Sequence, residues 1–140
     1  MKWKNIVISA VAGGVVFLVV ALLADYISVL ISPYSIMDIG GMRSMDDPVM
    51  ALYFLYPFVF ALTSAVVFDF VRDSIKGEST FHRGAMFGLF LFLLITIPEF
   101  FLLYSSMTYP VGFYISMFLT GIIAYPLMGM VYVKIWEKFV

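Results

Sequence analysis

RGAMFGLFLFLLITIPEFFLLY, residues 83–104, combines two features that rarely share a segment. It is apolar for the length of about 20 residues that a helix needs to cross a bilayer. Near its far end it carries Pro98 and Glu99, a helix breaker beside an ionisable acid. A charge at the centre of a spanning helix costs roughly 2.5–3.5 kcal/mol, and less toward the interface. Glu99 therefore calls for a partner, and the other segments are read for one.

The composition agrees with a membrane setting. Apolar residues make up 64% and charged residues 12% of the 140-residue chain, against about half and about one quarter in soluble domains. That length suits one domain. Cysteine is absent, which excludes disulfides, thiolate catalysis and cysteine-ligated metals. No GxSxG, HExxH, Walker or dinucleotide-binding pattern occurs. The lone histidine, His82, has no second ligand spaced near it. No metal site and no cofactor is expected. No basic run is long enough for nucleic acid.

Three more hydrophobic stretches give spans of about 5–31, 48–74 and 110–133 beside 83–104. The first follows Lys2 and Lys4 like a signal peptide, but its apolar run, 6–24, is longer than a signal core of about 7–15 residues. It is read as a retained helix, ended by Ser32-Pro33. Asp47-Pro48 supplies a cap and a first-turn proline for the second span. Ser79 or Thr80 can cap the third. The sequence thus predicts an all-α, four-helix transmembrane bundle.

Lys2, Lys4, Arg72, Lys76, Arg83, Lys134 and Lys138 fall at the termini and the 72–83 region, and only Arg43 falls on the other side. The positive-inside rule then places both termini in the cytoplasm of a multi-pass cell-membrane protein. Trp3 and Trp136 are expected at that interface. The pairs Tyr56-Pro57 and Tyr125-Pro126 hint at a repeat between spans 2 and 4.

Stepping back from Glu99 by helical periods reaches Gly88 and Gly84, a small-xxx-small pair that allows close helix approach. The same step from Asp25 in span 1 reaches Ala21, Leu18 and Gly14. Both acids are thus expected on packing faces, in the outer third. Span 4 brings Tyr114 to that level on a face with Gly121 and Gly129. Arg43, the lone outer cation, is the expected partner for Asp25 and Glu99. Asp25, Glu99, Arg43 and Tyr114 form the candidate ligand or ion site. Asp69, Arg72, Asp73 and Lys76 read as a solvated helix end with ion pairs; lipid headgroup contact by Arg72, Lys76 and Arg83 is the alternative.

FVRDSIKG at 70–77, RGAMFGLFLFLL at 83–94 and TIPEFFLLYSS at 96–106 resemble stretches of small, uncharacterised four-span prokaryotic membrane proteins. The resemblance covers about a third of the chain and implies the four-span layout, with no activity attached. Small size, short loops and absent catalytic motifs favour a non-enzymatic structural or accessory protein. Its partners would be the bilayer and itself or another membrane protein. One alternative is a small oligomeric transporter, channel component or ligand-binding protein that uses the acids. A lipid-modifying enzyme with an acid pair is a third.

Overall fold

The computed structural model describes residues 1–140. It is all-helical, and four helices are long and apolar enough to cross a membrane: Trp3–Ile31, Pro48–Val71, Thr80–Ser106 and Val111–Lys138.

Helix α1, Trp3–Ile31, has 29 residues, about 43 Å at a rise of 1.5 Å each. It stops at Ser32, which is extended ahead of Pro33 as the pre-proline position demands. Span 2 begins where Asp47 accepts a hydrogen bond from the Val49 amide at 2.9 Å. Its first part, Pro48–Leu55, is 3-10 helix, and α2 proper runs Tyr56–Val71. Pro57 explains the switch. It has no N–H to offer the Tyr53 carbonyl, which instead accepts from Tyr56, three residues on.

Span 3 is α3 (Thr80–Leu91), a π-helical turn (Phe92–Thr96) and α4 (Ile97–Ser106). Ser79 caps it by accepting from His82 N at 3.1 Å. The π turn lies just ahead of Pro98. There Ile97 donates to Phe92, five residues back, and the widened turn accommodates the ring of Pro98. Helix α5, Val111–Lys138, runs five residues past the predicted end of 133.

Helix α5 is central: α1 and α3 pack directly against it, and α2 packs mainly on α1. Large rings bridge α2 to α5, with Phe60 stacked on Tyr125 at 5.0 Å between centroids and Phe68 tilted against Tyr132 at 5.8 Å. The closest seam is α3–α5. A Cβ on Gly84 would lie 2.4 Å from Met130 N, one on Gly88 2.3 Å from Pro126 N, and one on Gly129 2.3 Å from the Gly84 carbonyl oxygen. Without glycine at these positions the backbones would have to part.

The seam widens toward the end remote from both termini because its residues grow. After Gly84 and Gly88 it continues through Phe92, Thr96, Phe100 and Tyr104, which meet Gly121, Phe118 and Tyr114. The rings hold α4 away from α5, and α4 contains no buried residue. In α1, the adjacent glycines serve two neighbours: Gly13 lies under the Tyr132 ring and Gly14 under Phe58. Tyr132 is fully buried; its hydroxyl donates to the Ala61 carbonyl at 2.9 Å and lies 2.8 Å from Ser64 Oγ.

Both termini and loop 72–79 meet at one end, with seven of the eight Lys and Arg residues. Asp69, its side chain only 9% exposed, ties that end together. It accepts from Trp136 Nε1 at 3.0 Å and the Lys2 amide at 3.4 Å, and Arg72 lies 3.5 Å away. This group is not a freely solvated helix end. Trp136, expected at the lipid interface, is buried against Phe68; Trp3 stays exposed.

Candidate functional site

The predicted acids lie on separate helices in the half remote from the termini, and the structure gives them different surroundings. Asp25 projects from the C-terminal part of α1. The loop after α1 turns back through Ser32-Pro33 and places Tyr34 over it, so that the Tyr34 hydroxyl donates to the Asp25 carboxylate. Gly112 makes room, since a Cβ there would fall 2.3 Å from the Tyr34 ring and 2.5 Å from the Ser32 carbonyl oxygen. Tyr34 thus joins the loop, α1 and α5. Burial, then the bond to Asp25 and the charge on that carboxylate, raise its pKa above the ordinary tyrosine value.

Glu99 is exposed on α4 and has no hydrogen-bond or ion-pair partner within the chain. It does not share the seam of Gly84 and Gly88. The π turn inserts an extra residue into the helical repeat, so the line facing α5 steps by four from Gly88 to Phe92, Thr96 and Phe100. Glu99 falls one residue to the side. Tyr56 and Tyr125 are the phenols within electrostatic reach of its carboxylate.

These phenols belong to the two Tyr-Pro pairs. Tyr56 sits at the 3-10 to α junction of span 2, and Tyr125 sits midway along α5. Phe17 and Phe60 bind them into one aromatic cluster, with Phe17–Tyr56 at 5.7 Å and Phe60–Tyr125 at 5.0 Å. Thr96 is buried in the π turn. Tyr53 is within electrostatic reach of both Asp25 and Tyr56.

Arg43 and Tyr114 lie elsewhere. Arg43 pairs with Asp47 at 3.0 Å in the loop between α1 and span 2, with 59% of its side chain exposed. An acid four residues away engages the guanidinium with little desolvation, which an acid inside the bundle does not match. The expected Asp25–Glu99–Arg43 cluster does not form around Arg43. Tyr114 is buried among Phe100, Tyr104 and Phe113, and its hydroxyl has no partner. The residues that surround the acids are Tyr34, Tyr53, Tyr56 and Tyr125. Proline beside Tyr56 and Tyr125 was the one sequence signal for two of them.

Chemically, the arrangement offers one carboxylate bound by a phenol, Asp25 with Tyr34, and one unpaired carboxylate, Glu99, in an apolar setting. No group of three or more His, Asp or Glu side chains is placed to hold a metal ion. The four long apolar helices define a multi-pass membrane protein. The chain matches no protein-family model, no curated protein and no solved structure.

Proposed function

We propose that this is a non-enzymatic membrane protein that works by binding another membrane protein, or a second copy of itself, through the outer half of span 3. One observation carries the reading: α4 buries none of its residues yet holds Glu99, an intramembrane acid without a partner in its own chain. Polar groups in spanning helices face protein or water, because lipid offers them nothing. A donor from a neighbouring helix removes that cost. The basic end, by the positive-inside rule, faces the cytoplasm of the cell membrane. The test is cysteine crosslinking in membranes, which the cysteine-free chain allows without background. A single cysteine at Leu102 on exposed α4 should form adducts, and one at Leu23 on exposed α1 should not. Equal crosslinking at the two sites counts against the reading.

The aromatic cluster favours a second reading, a site for an organic cation. Tyr56, half exposed, lies within electrostatic reach of Glu99, and cation–π attraction at such a ring adds about 2 kcal/mol or more when desolvated. Tetraphenylphosphonium is a suitable probe. A saturable thermal stabilisation that Glu99→Gln abolishes supports this reading, and none in the unaltered protein removes it.

A further inference from the structure

A second polar site lies at the basic end, far along the helices from Glu99. There the end of α2, the start of α3 and the last turns of α5 enclose a cleft of about 160 Å³. Phe68, Val133 and Trp136 give it apolar walls, and Arg72 and Arg83 both line it.

The two arginines are incompletely satisfied. Arg72 is only 32% exposed, and its nearest acids are Asp69 Oδ1 at 3.5 Å and Asp73 Oδ1 at 3.7 Å. These contacts are too long or misaligned for hydrogen bonds. Its Nε is enclosed without an acceptor. Arg83 donates through Nη2 to Glu137, but its Nε is likewise enclosed and unpaired. A guanidinium has five donors in a fixed fork. Two such forks on one cleft, most of their donors unused, match a group with several acceptor oxygens.

Asp73 and Glu137 line the same cleft and offset part of the charge. The surrounding end remains positive, with Lys2, Lys4, Lys76, Lys134 and Lys138 added to the arginines against Asp69, Asp73, Glu78 and Glu137. Position matters as well. The cleft sits where the spanning helices end, so a headgroup held there would leave its apolar tails in the adjoining bilayer.

We propose that this cleft binds a phosphate group between Arg72 and Arg83. Trp136 lines the cleft and is one of only two tryptophans, so a Trp3→Phe background makes its fluorescence a local reporter. The full chain in detergent is titrated with short-chain phosphatidylglycerol, with the matching diacylglycerol and with inorganic phosphate. A saturable change with the phospholipid and none with diacylglycerol is expected. Inorganic phosphate acting as strongly as the phospholipid identifies free phosphate as the source; a much weaker effect identifies the lipid headgroup. Arg72→Gln and Arg83→Gln should each weaken binding by about tenfold, as loss of charge-assisted bonds does. Lys76→Gln removes the same charge from the same end but lies outside the cleft, and it should change affinity by less than about twofold.

The proposal fails if neither phosphate ligand alters the emission, if diacylglycerol binds as well, or if Lys76→Gln weakens binding as much as Arg72→Gln. Should an arginine variant not fold, native mass spectrometry of the unaltered chain decides the matter. Retention of phosphatidylglycerol over diacylglycerol supports the cleft, and equal retention overturns it.

Discussion

Gly88→Ala adds one methyl group at the tightest part of the α3–α5 seam. Its Cβ would lie 2.3 Å from Pro126 N, 2.4 Å from Pro126 Cα and 2.6 Å from the Tyr125 carbonyl carbon. All three are backbone atoms of α5, so no rotamer change relieves the clash. Carbon atoms rest comfortably about 3.5–4.0 Å apart, so the helices must separate locally by roughly 1 Å or more. Neighbouring contacts on the seam loosen with them, notably Gly84 on Met130. In lipid no hydrophobic effect presses the helices back together, and packing is what holds them. Overpacking costs about 1–3 kcal/mol; with backbone on both sides of the clash, about 2 kcal/mol is expected. Reversible unfolding by sodium dodecyl sulfate in mixed micelles measures it. Gly40→Ala is the control, because its Cβ would meet nothing within 4 Å. A Gly88→Ala protein as stable as the Gly40→Ala control would refute the seam.

Gly84→Ala and Gly129→Ala each intrude on the same backbone crossing. The double variant should therefore lose less stability in the same unfolding assay than the two single losses added together. Tyr34→Phe leaves the Asp25 carboxylate without its donor and should cost about 1–2 kcal/mol, toward the lower end because the pair is partly exposed. Tyr34 also carries a pH signature. Its raised folded pKa means the unfolded state loses the proton first. The stability it contributes is complete below the ordinary tyrosine value of about 10 and falls as pH rises above it. Melting temperatures across that range should drop in the unaltered protein and drop less in Tyr34→Phe. Asp69→Ala removes the acceptor of Trp136 Nε1 and the nearest acid to Arg72. A loss of about 2–3 kcal/mol is expected, with a shift in tryptophan emission.

The layout of four spans was legible in the sequence because length and hydropathy fix it without reference to tertiary contacts. Local chemistry was legible too: Asp47-Pro48 starts span 2, Ser79 caps span 3, and Gly84, Gly88, Gly121 and Gly129 sit at close approaches. The helices are apolar on every side, however, so periodicity gives no sign that α5 is the central one. Face analysis from Glu99 assumed an unbroken helix. The π turn ahead of Pro98 adds a residue and moves Glu99 off the glycine line. The Arg43–Asp47 pair follows the ordinary four-residue rule. Asp47 competes with the acids of the spans for Arg43 and wins because it lies in the same loop, where little desolvation is needed. Asp69 and Trp136 are 67 residues apart, and no local pattern links them. The convergence of Tyr56 and Tyr125 was visible only as a shared Tyr-Pro dipeptide.

The proposed function requires that Glu99 be satisfied from outside its own chain. Native mass spectrometry from lipid nanodiscs tests this, with the protein prepared from its own membranes. Particles heavier than the 15.8 kDa single chain are expected, by a second copy or a defined co-purifying polypeptide. Glu99→Leu should return them to a folded single chain. An unaltered protein that is strictly a single chain, or assemblies that persist unchanged in Glu99→Leu, would contradict the proposed function.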